Sequence, residues 1–214
     1  MPQRNTIIWD WNGTLLDDAE LCRKAINTML KERHLPELSL EKYRSVFTFP
    51  VIEYYIEVGF DFTIEEWDPV AMEFIRQYAD ALPGCRLTPF AVETLEIFKQ
   101  KGYRQAIISA MEHDSLLKSV SHLGIDHYFD HIGGIGDHYA SSKVDNARSY
   151  FTSAGLNPDR ITLIGDTIHD SEVAAELQCK CILVTTGHQS FSRLQATGLP
   201  VITDLSEIKP GLLS

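Results

Sequence analysis

The sequence predicts an α/β fold in which a doubly wound, mainly parallel sheet carries an inserted, all-helical cap. Two observations support this fold class. Short apolar, β-branched runs alternate with helical patterns along most of the 214 residues, and one long stretch near the start contains helical patterns only. The apolar runs show little alternation with polar residues, as expected for central parallel strands that helices cover on both faces.

Four strand-like runs define the predicted sheet. They are Thr6–Trp9 (TIIW), residues 104–109 (containing AIIS), Ile161–Gly165 (ITLIG) and residues 181–185 (CILVT). Helical patterns lie between these strands, and a glycine follows the end of each of the predicted helices named next. The predicted helices are residues 115–123, residues 143–154, and a helix that starts at the N-cap Thr88-Pro89 and stops at Gly102.

The helical insertion covers residues 17–86, which divides the chain into a core of residues 1–16 and 87–214 and a cap of residues 17–86. Thr63-Ile64-Glu65-Glu66 has the pattern of a capping box. The apolar residues that follow are spaced by three and four, giving one apolar face: Trp67, Val70, Phe74, Tyr78 and Ala81. The insertion follows the first strand, at the edge where open α/β sheets bind ligands. The alternative is that these helices simply pack on the sheet.

Composition excludes several classes of protein. Against 30 acidic residues there are 19 Lys and Arg, a formal charge of −11, which disfavours nonspecific binding to nucleic acid or anionic membrane. No apolar stretch reaches 18 residues and no signal-peptide pattern opens the chain, so we expect a cytoplasmic protein without a membrane partner. The four cysteines are too few and scattered for a disulfide framework. Monomer and homodimer both remain open.

Carboxylates follow two of the predicted strands. Asp10 comes directly after TIIW, Asp166 follows ITLIG, and Asp170 lies four residues later. Acids at neighbouring strand ends repel each other unless a cation lies between them, and hard oxygen ligands suit Mg²⁺. Taken alone, Asp10 is equally a turn residue before Asn12-Gly13, and Asp170 an N-cap for a helix starting near Ser171.

Two weaker signals accompany the carboxylates. Ser109 ends the second predicted strand, where its hydroxyl and the next backbone N–H could hold a phosphoryl oxygen, although such a serine is usually a turn or cap residue. Lys143 precedes a helix, where a lysine is usually a solvated charge. The histidines at positions 113, 122, 127, 131, 138, 169 and 188 form no recognised metal pattern.

Together these residues resemble the haloacid dehalogenase-like hydrolases, specifically the phosphoglycolate phosphatase-like branch with a helical cap. The resemblance covers nearly the whole chain. The family's motifs occur in order, with the cap between the first two: Asp10-Trp11-Asn12-Gly13-Thr14, Ser109, Lys143 and Gly165-Asp166 with Asp170. The first motif is specific by itself; the others gain weight from their order.

The resemblance implies a phosphatase that acts on a small phosphorylated metabolite. Asp10 would attack phosphorus and form an aspartyl-phosphate. It also implies a catalytic set of Asp10, Asn12 and Lys143, substrate contacts from Thr14, Ser109 and Ala110, and Mg²⁺ held by Asp10, the backbone carbonyl of Asn12, Asp166 and Asp170. Mg²⁺ would answer the problem of an acidic protein that binds an anion.

The chain departs from the family at Asn12, where phosphatases have a second aspartate that protonates the leaving oxygen. An amide cannot do this, and general acid–base catalysis is typically worth about 10²–10⁴ in rate. Ala110 also stands where the branch often has asparagine. An alternative is therefore a protein that binds phosphate or a metabolite with weak or no catalysis. A carbon–halogen hydrolase fits less well, because that chemistry has no use for Asp166 and Asp170.

Overall fold

The structure is a computed structural model that describes residues 5–136 and 143–209. Its main sheet has six parallel strands in the order β5-β4-β1-β6-β7-β8. The strands of this sheet are β1 (Thr6–Trp9), β4 (Arg104–Glu112), β5 (His131–Ile135), β6 (Ile161–Gly165), β7 (Lys180–Val184) and β8 (Val201–Ile202), and a small antiparallel pair consists of β2 (Leu16–Asp17) and β3 (Arg86–Leu87). The doubly wound, mainly parallel sheet expected from the sequence is confirmed.

Helices cover both faces of the sheet. The core helices are α5 (Ala91–Gln100), α6 (His113–His122), α7 (Lys143–Ser153), α8 (Ile168–Glu176) and α9 (Phe191–Gln195). Side chains of β1 alternate between the faces: Ile7 and Trp9 pack with α5 and α6, and Ile8 packs with α7 and α8. Because both faces are covered, all four residues of β1 are buried, which explains why Ile7, Ile8 and Trp9 are apolar in succession.

Strand order brings the predicted site residues together. β1 lies between β4 and β6, with Trp9 level with Ile107 on one side and Ile164 on the other. Because the strands are parallel, Asp10 lies beside the end of β6 at Gly165 and beside the carboxyl-terminal half of β4, which continues to Glu112. From β1 the chain continues to β4 and β5 on one side of the sheet, and it then crosses to β6, β7 and β8 on the other side. This change of direction leaves a crevice beside β1, where such sheets bind ligands.

The inserted cap has four helices and a hydrophobic core of its own. The helices are α1 (Ala19–Glu32), α2 (Leu40–Val46), α3 (Val51–Glu57) and α4 (Trp67–Ala81). Ile26 and Met29 of α1 pack there with Tyr43, Tyr54 and other cap residues. The two-residue strands β2 and β3 join the base of this helical segment to the core, a short pairing that the sequence did not predict.

Arg33 fastens the cap helices to each other. Its guanidinium donates to Glu65 at 2.9 Å and to Glu73 on α4 at 2.8 Å, and it lies 4.9 Å above the ring centre of Phe60. The predicted capping box at residues 63–66 is wrong. Thr63 donates its N–H and hydroxyl to Asp61, and the helix begins only at Trp67, with Glu66 at the N-cap position and no side-chain cap bond.

Two other local predictions differ from the structure. The helix predicted to start at Thr88-Pro89 starts at Ala91, because the Thr88 hydroxyl donates to the carbonyl of Thr14 at 2.7 Å instead of capping a helix. Strand β5, with sequence HIGGI, was not predicted, since its glycines are typical of a loop. A Cβ on Gly134 would lie 2.5 Å from the carbonyl oxygen of Met111, so close packing requires glycine there.

Among the described residues, no helix is long and apolar enough to cross a bilayer. The four cysteines are free thiols, with Cys22 and Cys181 buried. This agrees with the absence of a disulfide framework from the sequence prediction.

We expect Phe98→Ala to lower the free energy of unfolding by about 3–5 kcal/mol, the usual cost of removing a buried phenylalanine. Phe98 is fully buried on α5 and meets Trp9 edge to face, with ring centres 6.5 Å apart. Ile97→Ala on the same helix is the matched control, because Ile97 is 45% exposed. Urea unfolding measures both variants; equal losses would contradict this account of the core.

Candidate active site

A cavity of about 410 Å³ lies where the carboxyl edge of the sheet meets the cap. Its polar end contains Asp10, Lys143, Asp166 and Asp170, and its opposite walls come from the cap helices. The sequence predicted both the edge and these four residues. The site is therefore a partly enclosed chamber in which charged groups face an inserted helical wall.

Three buried carboxylates converge at the polar end. Asp10 is 7% exposed, while Asp166 and Asp170 are each 1% exposed, and one oxygen from each lies within 4.8 Å of the others. The ammonium of Lys143, at the start of α7, donates to Asp10 and to Asp170, the latter at 2.5 Å. The ammonium thus contacts two of the three carboxylates, so the negative charges exceed the positive charge in direct contact with them.

This imbalance is visible in the pKa values. Burial raises the pKa of Asp10 above its usual range; Lys143 opposes the shift, whereas Asp170 and Asp166 reinforce it. Burial also raises the pKa of Asp166. For Asp170, burial acts in the same direction, but Lys143 and the donors of Thr167 hold its pKa below the usual value. An additional cation would stabilise the ionised form of the two raised groups.

Backbone N–H groups and hydroxyl groups hold the carboxylates of Asp166 and Asp170 in place after β6. Asp170 accepts from the Thr167 N–H at 3.0 Å and from the Thr167 hydroxyl at 2.7 Å. Asp166 accepts from the backbone N–H of His188 at 2.6 Å and from the Thr14 hydroxyl at 3.2 Å. The prediction that Asp170 is an N-cap is corrected: Thr167 is the N-cap of α8, and Asp170 completes its capping box from the third helical position.

Glycines allow this close approach. A Cβ on Gly13 or Gly187 would overlap the Asp166 carboxylate, and one on Gly165 would overlap that of Asp170. The donor set is three carboxylates in a tight backbone cradle, without thiolate or imidazole, which is the hard oxygen chemistry that Mg²⁺ prefers. The residues present therefore fit a magnesium ion.

Asn12 belongs to a hydrogen-bond network that the sequence did not reveal. Its side-chain amide donates to Asp18 at 2.8 Å and to the Tyr78 hydroxyl at 2.7 Å, and Tyr78 donates to Asp18 at 2.7 Å. Asp18 also accepts from the Gly13 N–H at 2.8 Å, and the Ser109 hydroxyl donates to the side-chain oxygen (Oδ1) of Asn12 at 3.4 Å. The amide thus suits a position that faces a buried carboxylate.

His188 neutralises that carboxylate. Its Nε2 lies 3.3 Å from Asp18, and its Nδ1 lies 2.8 Å from the Tyr43 hydroxyl. Burial lowers the pKa of His188, but Asp18 and Asp166 outweigh this and raise it to about 9. Burial raises the pKa of Asp18, and His188 more than reverses this, so that the carboxylate stays ionised. His188 is therefore an imidazolium that pairs with Asp18 at neutral pH.

Cys22 completes a second group of potential metal donors with Asp18 and His188. Burial raises the pKa of the Cys22 thiol well above its usual value, and the charged imidazolium has no free lone pair. In the structure these three residues form an ion pair beside a thiol. Of the other predicted non-ligand histidines, His138 lies outside the described residues.

Three predicted substrate contacts have different surroundings. Ser109 and Ala110 line the cavity, and the Ser109 hydroxyl accepts from the Met111 N–H at 3.0 Å. Thr14 is fully buried and does not line it; its hydroxyl faces Asp166 instead. In this arrangement Thr14 positions a carboxylate.

The residues missed by sequence reasoning were Asp18, Tyr78 and His188. Asp18 directly precedes α1, where an aspartate is typical of an N-cap, yet its side chain makes no capping bond to that helix. Tyr78 was assigned to the apolar face of α4, since a phenol at that spacing is usually part of a core. No sequence signal joins three residues so far apart in the chain.

Comparisons with known proteins agree with this architecture. Residues 7–184 match the family described as haloacid dehalogenase-like hydrolase. Phosphoglycolate phosphatase 1 of Pseudomonas aeruginosa is 27% identical over 218 residues, covering 95% of this chain and 78% of that protein, and phosphoglycolate phosphatase of Aquifex aeolicus is 28% identical, covering 85% of each. The structure of a haloacid dehalogenase-like family hydrolase from Streptococcus pneumoniae superposes with a TM-score of 0.80 at 21% identity, covering 97% of both chains.

The fold and its carboxylate edge define a hydrolase of the α/β class with an inserted cap. The chain belongs to the haloacid dehalogenase-like hydrolase family, in the branch similar to phosphoglycolate phosphatases. The family resemblance drawn from the sequence is confirmed.

We expect Gly187→Ala to abolish stabilisation by Mg²⁺, because the new methyl group would displace the Asp166 carboxylate. Thermal unfolding with and without MgCl₂ measures the effect as a shift in Tm. Gly84→Ala is the matched control, since a Cβ at Gly84 meets nothing within 4 Å. An undiminished Mg²⁺-dependent shift in Gly187→Ala would contradict the assignment of Asp166 to the ion.

Proposed function

We propose that the protein is a Mg²⁺-dependent phosphatase that hydrolyses a small phosphorylated metabolite through an aspartyl-phosphate intermediate. The observation that carries this proposal is the buried Asp10 carboxylate, which opens into the cavity beside Lys143 and two further carboxylates. A protein that only bound phosphate would have no need for an acid at this point. The names of the curated relatives, several of them phosphoglycolate phosphatases, support the same chemistry.

In this proposal Asp10 is the nucleophile. Burial raises the pKa of its carboxyl group above the usual range even with the Lys143 ammonium beside it, so the reactive carboxylate needs the further positive charge that Mg²⁺ would supply. Asp166 and Asp170, with Asp10 and the Asn12 carbonyl, would hold Mg²⁺. When bound, Mg²⁺ supplies positive charge that stabilises the phosphoryl oxygens and the nearby carboxylates.

Lys143 and Ser109 would position the phosphoryl group for attack. Phosphoryl transfer depends mainly on positioning and electrostatic stabilisation, and Lys143 contributes the positive charge nearest to Asp10. Ser109 lines the same end of the cavity, and its neighbour Ala110 supplies a wall without a polar side chain. We propose residues 17–86 as the cap that excludes water and contacts the leaving group.

Asn12 limits which leaving groups can depart easily. The amide has no proton to give to an alkoxide, and its hydrogens already point to Asp18 and Tyr78. The Tyr78 hydroxyl is a poor substitute, because burial and Asp18 raise its pKa far above neutral. The same position makes a second function worth testing: a protein that binds a phosphorylated metabolite with little turnover.

We expect a chelator to remove phosphatase activity and added Mg²⁺ to restore it, because the site carboxylates lack sufficient positive charge without the ion. Asp10→Asn should eliminate turnover, since an amide cannot form the acyl phosphate. A phosphate-release assay over a panel of phosphate esters measures both. Asp80→Asn is the control, an exposed acid on α4. Activity of Asp10→Asn equal to that of the control would overturn the covalent mechanism.

We expect Asn12→Asp to raise turnover of alkyl phosphates by roughly 10²–10⁴, the usual contribution of general acid–base catalysis. The new carboxylate would face Asp18, so one of the two would hold a proton near neutral pH. The double variant Asn12→Asp with Asp18→Asn restores the hydrogen bond with reversed direction and tests whether that repulsion harms folding.

This experiment needs a control because the Asn12-Gly13 dipeptide is prone to deamidation, which would convert Asn12 of the parent protein into a carboxylate. Peptide mapping must establish that the parent protein retains the amide. Both variants must fold and be stabilised by added Mg²⁺. If alkyl-phosphate turnover is then unchanged, another group supplies the proton and our account of position 12 is wrong.

A further inference from the structure

The cap side of the cavity is apolar and aromatic. Phe47, Tyr54, Trp67, Phe74 and Ile75 line it, and Met111 adds to it from the core. The nearby tyrosine hydroxyls serve other partners: Tyr43 bonds to His188 and Tyr78 to Asp18. A leaving group in this space would therefore touch ring faces and aliphatic carbons.

No free cation faces this space among the described lining residues. Lys143 is the only Lys or Arg among them, and its ammonium contacts Asp10 and Asp170. Residues 137–142, which precede Lys143, have the sequence DHYASS and contain no Lys or Arg. His188 pairs with Asp18, and the remaining lining imidazole, His169, lies against the ring of Phe49 with centres 4.9 Å apart.

Cap arginines that could have served a negatively charged substrate bind elsewhere. Arg33 is held by Glu65 and Glu73. Arg44 reaches the core, where it donates to the backbone carbonyls of Thr186 and Gly187 at 2.7 and 2.8 Å. These bonds tie the cap to the core and leave the apolar chamber without a positive wall.

A carboxylate on the leaving group would find this chamber unfavourable. Transfer of an ionised carboxylate into an apolar space without a partner is costly. Asp18, whose charge His188 balances, and Glu112 also line the cavity and offer no positive charge to a substrate. The leaving group that fits is neutral. At about 410 Å³ the cavity falls within the range of small-molecule sites, roughly 300–1,000 Å³, so it holds a group larger than a two-carbon acid.

Asn12 restricts the leaving group for a second reason, which does not depend on the walls of the cavity. Its amide gives no proton, so the departing oxygen must be stable as an anion. A phenolate meets this requirement, because a phenol has a pKa of about 10, whereas an alkoxide does not. The aromatic walls of the cavity and the lack of a proton donor at position 12 therefore both favour a phenolate leaving group.

We propose that the substrate is an aryl phosphate monoester whose ring is neutral and apolar. This rests on the proposed function, since it places the phosphoryl group at Asp10 and the ring against the cap. The Asp10 oxygen forms a bond to phosphorus as the bond between phosphorus and the phenolic oxygen breaks. The phenolate takes a proton from water. A water molecule then hydrolyses the aspartyl-phosphate, which returns the carboxylate and releases phosphate and one proton. This proton neutralises the hydroxide left when water protonated the phenolate, so that charge and atoms balance.

Hydrolysis of matched esters tests the proposal. With Mg²⁺ present, kcat/KM is compared for 2-naphthyl phosphate, phenyl phosphate, hexyl phosphate and phosphoglycolate. We expect 2-naphthyl phosphate to exceed phosphoglycolate by at least about 100-fold. Burial of apolar surface gives about fourfold per methylene-sized group, and several such groups are buried with the naphthyl ring. A higher kcat/KM for phosphoglycolate than for either aryl ester would overturn the proposal.

A binding measurement separates this proposal from the proposed function. Benzylphosphonate and phosphonoacetate carry a phosphorus–carbon bond that this chemistry does not break, so calorimetry in MgCl₂ reports preference without turnover. Tighter binding of benzylphosphonate by at least about tenfold supports the substrate class, even if no ester is hydrolysed and the phosphatase proposal fails. Equal or tighter binding of phosphonoacetate overturns the substrate class, even if hydrolysis is observed.

A pair of substitutions on α4 tests whether the aromatic ring of the ligand binds against this helix. Ile75→Arg puts a cation into the cavity and should lower benzylphosphonate affinity while raising that of phosphonoacetate. Met72→Arg is the matched control, because Met72 is 37% exposed and does not line the cavity. If Ile75→Arg does not fold, Ile75→Ala serves instead and should weaken benzylphosphonate alone. Identical behaviour of the Ile75 and Met72 variants would contradict the assignment of the ring to this wall.

Discussion

Three buried carboxylates around one ammonium are the constraint on which the rest of the structure depends. Asp10, Asp166 and Asp170 lie where water is excluded, and Lys143 contacts two of them. Such a group is costly unless each oxygen is held and further positive charge is supplied. The surrounding loops provide N–H and hydroxyl donors, and glycines bring the backbone close enough to place them.

The parallel sheet makes this concentration of charge possible. β1 lies between β4 and β6, so residues distant in sequence emerge side by side at one edge. Helices on both faces bury the strands, and this rigid support fixes where the side chains at their ends point. The candidate site thus lies at the edge where covered strands stop and polar groups can begin.

A second buried ion pair, between Asp18 and His188, determines the character of position 12. An aspartate at position 12 would face the Asp18 carboxylate, whereas the Asn12 amide donates to it. The same network includes Tyr43 and Tyr78 from the cap. The departure at Asn12 is therefore part of a consistent hydrogen-bond arrangement that joins the cap to the sheet edge, and it accompanies an apolar chamber above Asp10.

The sequence by itself determined the fold class, because strand and helix periodicities are local and β1 and β6 match their predicted bounds. It also located the carboxylates and Lys143, which follow or precede recognisable elements, and Ser109, although the second predicted strand continues past Ser109 to Glu112. It failed where glycine or a polar side chain had several local uses: β5 looked like a loop, and Thr88 and Thr63 looked like caps.

Only the tertiary structure decided which groups pair. Asp18, Tyr78 and His188 come from separate parts of the chain, and their hydrogen bonds depend on how the cap meets the core. The apolar wall of the cavity has the same origin, because the spacing of Phe74 and Tyr78 shows an apolar helix face but not what that face covers. Periodicity is a property of neighbouring residues, whereas charge pairing and enclosure depend on distances through space between residues far apart in the sequence.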